Sequence, residues 1–212
     1  MKKYCNMNFN LINYKLIKFI KSINKIKDLP KDKCIEIAFI GYSNVGKSNT
    51  INALSGIKKI AFTGKKPGTT KLINLYQIIK NFYLIDFPGY GFSNISLKNK
   101  NKHTFLLNKY IKKRKSLKGI IILMDIRQKL KKLDINIIKK TIKKKLIIVL
   151  LNKADKLSNN KKTIKKKYFK NEIKKYNNNI NIQTFSSINN EGLKILKKKI
   201  NIWLALNIHL LK

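Results

Sequence analysis

Residues 35–48 read IEIAFIGYSNVGKS, in which a short apolar run enters a glycine-containing loop that ends in Lys47-Ser48. A strand that leads into G-x-x-x-x-G-K-[ST] and is followed by a helix is the sequence context of a phosphate-binding loop. The glycines allow backbone N–H groups to turn toward phosphate oxygens, and the start of the helix adds partial positive charge. We therefore predict that Lys47 reaches the β- and γ-phosphates of a nucleotide and that Ser48 binds Mg²⁺.

Outward from this loop, apolar runs of strand length alternate with segments of helix length. Strands are predicted at 35–40, 72–79, 82–86, 119–125, 146–151 and 180–185, and helices near 47–54, 103–113, 133–144, 164–176 and 192–206. The runs at 119–125 and 146–151 are continuously apolar, as in strands that are buried on both faces. This order predicts a three-layer α/β fold, with a mostly parallel six-stranded sheet, one antiparallel hairpin and helices on both faces.

The leading segment has a different composition, rich in Lys and Asn. Five of its apolar residues have the spacing of one helix face: Leu16, Ile17, Phe19, Ile20 and Ile23. We expect a helix there that ends at Asp28-Leu29-Pro30. The predicted organisation is a basic helical segment at 1–33, a nucleotide-binding domain at 34–207 and a short tail at 208–212.

The charge of the chain is extreme, with 49 Lys+Arg against 9 Asp+Glu and a formal net charge of +40. Such a field attracts polyanions, of which RNA is the obvious one, without predicting base readout or DNA specificity. The alternative is that the charge reflects codon composition and not RNA binding. The chain is rich in Lys, Asn and Ile and has two arginines, Arg114 and Arg127, which is typical of A/T-rich coding sequence. Scarce Asp and Glu are not explained by that bias, so RNA contact is the favoured interpretation.

We expect a cytoplasmic monomer that does not associate with membranes. No apolar run reaches the roughly 18–20 residues of a membrane span, and the longest, at 119–126, has strand length. Cys5 and Cys34 match no metal-ligand spacing and are expected to be reduced thiols.

The tetrad Asn152-Lys153-Ala154-Asp155 directly follows the predicted strand 146–151. The carboxyl end of a parallel strand is where open sheets bind ligands. Asp155 there can accept hydrogen bonds from N1–H and the exocyclic amine of guanine, whereas adenine would leave the carboxylate unpaired. Asn152 would brace the loop, and the stem of Lys153 would cover the base. A helix cap would have the same letters, but the placement favours guanine recognition.

Asp86-Phe87-Pro88-Gly89 ends the predicted strand 82–86. A carboxylate at this point can hold Mg²⁺ through water, and the N–H of Gly89 can bond a γ-phosphate. The alternative is an ordinary D-x-P-G turn.

The polar loop at 63–70 contains two glycines and ends in Thr69-Thr70. The hydroxyl of Thr69 or of Thr70 can complete the Mg²⁺ shell. Loss of the γ-phosphate would release both this loop and the segment after Asp86, which is the order-to-disorder change of a switch.

Taken together, these motifs resemble the EngB (YihA/YsxC) family of ribosome-assembly GTPases, within the translation-factor-related class, over about residues 28–206. The matching stretches are G-x-S-N-V-G-K-S at 41–48, K-P-G-x-T at 66–70, L-I-N at 72–74, D-x-P-G-Y-G at 86–91, M-D-I-R at 124–127, x-K-A-D-K-L at 152–157 and T-F-S-S at 184–187.

The resemblance implies a P-loop GTPase fold, binding of GTP or GDP with Mg²⁺, and a role in assembly of the large ribosomal subunit and in cell division. Ribosomal RNA would then be the partner of the basic surface. The resemblance also implies K⁺ near the phosphates, with Asn44 as a ligand, and it selects Thr70 over Thr69. The nucleotide-binding set is Gly41, Ser43, Asn44, Val45, Gly46, Lys47, Ser48, Asn49, Gly68, Thr70, Asp86, Gly89, Asn152, Lys153, Asp155, Ser186 and Ser187.

Within that set, we expect Lys47, Thr70 and Gly89 to serve catalysis, and Ser48, Thr70 and Asp86 to bind the metal. Ser186 and Ser187 would line the base.

Tyr90 follows Gly89 where Ras-like proteins have a water-positioning glutamine. A phenol cannot orient water as an amide does, so slow intrinsic hydrolysis is predicted. Two other functions stay open at this point: a basic RNA-binding protein with a non-hydrolysing pocket, and an ATP-using kinase. Asp155 discriminates between a GTPase and an ATP-using kinase, because a carboxylate at this position would recognise guanine and not adenine.

Overall fold

The computed structural model describes residues 12–31, 33–61, 72–91, 97–141, 146–176 and 180–211. The strands are β1 (Lys18–Ile23), β2 (Ile35–Gly41), β3 (Ile73–Ile79), β4 (Phe82–Asp86), β5 (Leu117–Asp125), β6 (Leu146–Asn152) and β7 (Asn181–Thr184). The helices are α1 (Lys47–Ser55), α2 (Leu97–Lys113), α3 (Lys132–Thr141), α4 (Asn159–Lys174) and α5 (Leu193–Asn207).

All seven of these strands form one sheet in the order β1-β3-β4-β2-β5-β6-β7. Strands β4, β2, β5, β6 and β7 are parallel, while β1–β3 and β3–β4 are antiparallel pairs. The α/β class and the mostly parallel sheet are therefore confirmed, as is the hairpin between β3 and β4.

The sheet separates two apolar cores, because successive strand residues point to opposite faces. On β2, Ile37 and Phe39 belong to one core, which also contains residues of α1 and α5. Ala38 and Ile40 belong to the other core, which contains residues of α2, α3 and α4. Trp203 of α5 is buried in the first of these cores. Two buried cores around one sheet give the three predicted layers.

The helix predicted in the leading segment is wrong, and so is the six-stranded sheet. Residues Lys18–Ile23 form an edge strand that pairs antiparallel with β3, and Ile23 is its one buried member. Without it, the outer side of β3 would present unpaired N–H and C=O groups. Tertiary pairing has thus overridden the helical spacing of the apolar residues, most of which are exposed here. The predicted boundary at 33/34 stays a prediction, although β1 shares the sheet of the segment that follows.

The parallel strands bring three predicted motifs to one edge of the sheet. β2 ends at the phosphate loop, β4 ends at Asp86, and β6 ends at Asn152. None of the helices within the described ranges is long and apolar enough to cross a membrane.

Candidate nucleotide-binding site

The phosphate loop passes from β2 into α1 through residues with left-handed backbone. Asn44 has a φ of 57° and Gly46 a φ of 100°. A Cβ on Gly46 would lie 2.3 Å from Nδ2 of Asn152, so this position requires glycine both for its backbone and for space. Helix α1 begins directly after it, at Lys47, and the free N–H groups of its first turn form an anion site.

Lys47 is buried and held over this loop. Its Nζ donates to the carbonyl oxygens of Gly41 at 3.2 Å and Tyr42 at 3.1 Å. Burial lowers the pKa of the ammonium to about 8, while the nearby Asp86 carboxylate favours the charged form. The amine is therefore positioned beside the loop as the prediction requires.

Ser48, in the first turn of α1, contacts Asp86 at the end of β4. The Ser48 hydroxyl donates to Oδ2 of Asp86 at 2.7 Å. Burial raises the pKa of this carboxyl to about 6, against the opposing effects of Lys47 and of the Ser48 hydrogen bond. Its Oδ1 is buried and has no hydrogen-bond partner among the residues that the structure describes. An unpaired buried carboxylate oxygen beside a hydroxyl suits Mg²⁺, which prefers oxygen ligands.

The tetrad after β6 reaches both the phosphate loop and the segment after β7. Nδ2 of Asn152 donates to the carbonyl of Val45 at 2.7 Å, so Asn152 ties the tetrad to the phosphate loop. Lys153 has a φ of 63°. A non-glycine residue adopts that conformation where the surroundings impose it, and such positions cluster at functional sites.

Asp155 is held by Ser186, one of the two serines that the resemblance implies line the base. The hydroxyl of Ser186 donates to Oδ1 of Asp155 at 2.7 Å, and the Asp155 side chain is 13% exposed. Burial acts to raise the pKa of Asp155, but hydrogen bonds from Ser186 and Lys156 outweigh it and the pKa is lowered. The carboxylate is thus charged and partly exposed, and its recognition of guanine stays a prediction.

Asp125, at the end of β5, was not singled out from the sequence. Its Oδ2 lies 3.1 Å from Nζ of Lys153, and it also accepts two hydrogen bonds from the Arg127 guanidinium, at 2.9 and 2.7 Å. Burial acts against ionisation, yet the Arg127 and Lys153 contacts lower the pKa of Asp125 to about 2. Asp125 therefore orients the lysine that is predicted to cover the base. The M-D-I-R motif was the available signal.

The segment after Asp86 lies directly against the phosphate loop. The N–H of Ser43 donates to the Tyr90 carbonyl at 3.1 Å, and the N–H of Tyr90 donates to the Gly41 carbonyl at 3.3 Å. A Cβ on Gly89 would lie 2.6 Å from Cα of Ser43 and 3.1 Å from Nζ of Lys47. Gly89 is therefore beside the lysine, where its N–H is predicted to meet a γ-phosphate.

The side chain of Tyr90 is bound to helix α3. Its hydroxyl donates to Oδ1 of Asp134 at 2.7 Å, and both residues are buried. Its ring packs edge-on against Tyr42 with centroids 4.7 Å apart, and Nζ of Lys131 lies 4.1 Å above the Tyr42 ring. Burial raises the pKa of the Asp134 carboxyl to about 6 despite the Tyr90 hydrogen bond. Asp134 carries no motif, and no sequence signal pointed to it.

The other predicted site residues differ in exposure or lie outside the described ranges. Asn44 and Asn49 are exposed and Ser187 is half-buried. Gly68, Thr69 and Thr70 lie outside the described residues, as does Cys5, while Cys34 is a buried free thiol.

Comparison with known proteins agrees with this geometry. The family model for 50S ribosome-binding GTPases matches residues 36–153, more than half of the chain. A probable GTP-binding protein EngB from Buchnera aphidicola is 44% identical over 91% of this chain and 96% of its own length. A probable EngB from Salmonella paratyphi B is 37% identical over 92% of this chain and 93% of its length.

Solved structures give the same result. The crystal structure of a probable EngB is 25% identical, with a TM-score of 0.59, and covers 80% of this chain and 98% of its own. Aquifex aeolicus Era bound to GDP·AlF₄⁻ has a TM-score of 0.61 at 23% identity, over 79% of this chain and 56% of its own, and shows the fold alone. The predicted P-loop GTPase fold is confirmed. On its sequence match, its fold and the arrangement of its phosphate and base motifs, this chain belongs to the EngB family of GTP-binding proteins and is a GTPase.

Proposed function

We propose that this GTPase is a nucleotide-dependent switch in assembly of the large ribosomal subunit, with ribosomal RNA as its contact. The observation that carries the proposal is the convergence of Lys47, the Ser48–Asp86 pair and the Ser186–Asp155 pair on one edge of the sheet. The description of its family as 50S ribosome-binding supports the choice of partner. The net charge of +40 supports contact with a polyanion.

In this proposal the protein positions the triphosphate and stabilises its charge, without a covalent intermediate. Lys47 and the α1 N–H groups hold the β- and γ-phosphates, and the Gly89 N–H stabilises charge that develops on the γ-phosphate. Asp155 selects guanine. Ser48, Asp86 and, from the resemblance, Thr70 would hold Mg²⁺, which neutralises phosphate charge when bound. Gly68 would place Thr70.

Intrinsic hydrolysis is proposed to be slow. The Tyr90 hydroxyl is bonded to Asp134, so this side chain does not supply the water-orienting group. K⁺ held near Asn44, or a group of the ribosome, would raise the rate of GTP hydrolysis. We further propose that the protein works as a cytoplasmic monomer and supports septation as well as ribosome assembly.

The alternative of an RNA-binding protein with a decayed pocket fits the site less well. Asp86 is fully buried, and its Oδ1 has no partner in the described part of the chain, an unfavourable arrangement that ligand binding relieves.

Co-sedimentation with purified large ribosomal subunits tests the proposal, with GDP and a non-hydrolysable GTP analogue run in parallel. A switch predicts retention in the pellet with the GTP analogue and release with GDP. Equal binding in the two states would remove the switch from the proposal, and absence of binding in both would remove the partner.

A further inference from the structure

A basic groove lies at the opposite edge of the sheet from the nucleotide site. It encloses about 350 Å³ between the turn that precedes β2 and the last turns of α2. Strand β2 runs from this edge to the phosphate loop and has seven residues, so the two sites are about 20 Å apart at ~3.3 Å per residue. The groove is thus separate from the site described above.

Four lysines from two elements converge on this groove. Lys27 and Lys31 belong to the segment before β2, and Lys109 and Lys113 are one helical turn apart on α2. All four are exposed, and no carboxylate is among the described residues that line the groove. Within the described part of the chain, none of the four takes part in an ion pair or a side-chain hydrogen bond. Their charges are therefore directed at solvent around a shared concavity.

A buried network fixes the wall of the groove. The Arg114 guanidinium donates to the carboxylate of Glu36 and to the carbonyl of Pro30, and so joins the segment before β2 to the end of α2. The hydroxyl of Tyr110 donates to Oε2 of Glu36 at 2.7 Å, and Glu36 is fully buried. Because Arg114 is neutralised by Glu36, the free charge of the groove is that of its four lysines.

We propose that this groove binds the phosphodiester backbone of a single-stranded RNA segment. Lysines on two walls can each meet a phosphate, and the half-buried Ile26 and Pro30 add apolar surface between them. A positively charged groove that follows the backbone is the electrostatic part of the usual binding site for single-stranded nucleic acid. The inference rests on the proposed RNA partner and adds the site at which it binds.

The test compares two quadruple variants. In the groove variant, Lys27, Lys31, Lys109 and Lys113 become Gln. In the control variant, the exposed lysines Lys161, Lys166, Lys170 and Lys174 of α4 become Gln. Each variant removes four positive charges and takes the formal net charge from +40 to +36, so long-range attraction is matched. GDP affinity is measured for both as a check that the nucleotide site is intact.

Binding of a fluorescein-labelled 20-nucleotide uridine RNA is then titrated at several salt concentrations. We expect the groove variant to lose at least about tenfold in affinity and to bind with a salt slope lower by about 3, since each lost single-strand phosphate contact lowers it by about 0.7. The control should change much less. Equal losses in the two variants, or none in either, would overturn the proposal, because the RNA would then respond only to overall charge.

The ribosomal-subunit assay separates this proposal from the proposed function. If wild-type protein binds the RNA through the groove but sediments with no subunit, the groove stands and the assembly role fails. If the groove variant binds RNA as the control does but loses subunit binding, the groove contacts protein and the RNA proposal is overturned.

Discussion

Tyr90 and Asp134 join the loop after β4 to helix α3 through a 2.7 Å hydrogen bond between two buried side chains. The backbone of the same tyrosine bonds the phosphate loop through Ser43 and Gly41. One residue thus connects the segment that is expected to sense the γ-phosphate to both the nucleotide cleft and a surface helix. A change in its position would therefore reach α3 directly.

We expect Tyr90→Phe to lower the free energy of unfolding by about 1–3 kcal/mol, because it leaves the buried Asp134 carboxylate without this donor. Urea unfolding measures the loss. Asp134→Asn is the matched control, since its amide oxygen can still accept the Tyr90 hydroxyl, and its effect should be smaller. An unfolding curve of Tyr90→Phe that coincides with that of the wild type would show that the bond contributes nothing.

Asp86→Asn is expected to stabilise the nucleotide-free protein at pH 7 while abolishing its Mg²⁺-dependent nucleotide affinity. Burial raises the pKa of Asp86 from 3.8 to about 6, so between these values the folded state binds more protons than the unfolded state. The wild type therefore loses stability as pH rises through this window, on the order of 1–3 kcal/mol. Urea unfolding at pH 4.5 and pH 7 checks this. A variant that is less stable than wild type at pH 7 without nucleotide would contradict the account.

Gly89→Ala is expected to reduce GTP hydrolysis by about 100-fold, the usual effect of removing one donor to developing charge. The added Cβ would lie 2.6 Å from Cα of Ser43, so the loop must move away from Lys47. GDP affinity should change little because GDP has no γ-phosphate. Single-turnover hydrolysis and GDP titration separate the two effects. An unchanged rate of GTP hydrolysis would contradict the role proposed for the Gly89 N–H.

Arg114→Ala should destabilise the fold by about 3–5 kcal/mol, because it leaves the buried Glu36 carboxylate without its cation. The double variant Arg114→Met, Glu36→Gln should recover part of the lost stability, because it has no buried carboxylate without a cation. Thermal unfolding of the three proteins is the measurement. A double variant less stable than Arg114→Ala would argue against an unpaired charge as the cause.

The central sheet and the nucleotide motifs were predictable because each depends on local sequence. The run at 146–151 is apolar throughout, and the phosphate loop is one continuous segment. The edge strand Lys18–Ile23 was not predictable in this way, because its pairing depends on β3, about fifty residues away. Five of its six residues are exposed, so no alternation of apolar residues marked it as a strand.

Two side-chain pairs that join distant parts of the chain also escaped prediction. The Tyr90–Asp134 bond joins residues 44 positions apart, and the Arg114–Glu36 pair joins residues 78 apart. For the second pair a signal existed, because Glu36 lies within the apolar run of β2. A carboxylate in such a run needs a partner, and Arg114 is one of two arginines in the chain. The roles of Gly68 and Thr70 stay predictions.

Recognition of the base by Asp155 is the claim on which the account depends most. Its carboxylate accepts the hydroxyl of Ser186, and its pKa is lowered, so it is charged at neutral pH. In Asp155→Asn, the amide would donate to the C2 carbonyl of xanthine and would no longer accept from the guanine amine. The variant should therefore exchange guanine for xanthine preference, with little change in its unfolding curve.

Calorimetric titration with Mg²⁺ and non-hydrolysable analogues of GTP, ATP and XTP tests this most directly. We predict that the wild type binds the GTP analogue at least about 100-fold more tightly than the ATP analogue, and that Asp155→Asn prefers the XTP analogue. Equal affinity of the wild type for the GTP and ATP analogues, or unchanged guanine preference in Asp155→Asn, would contradict the account.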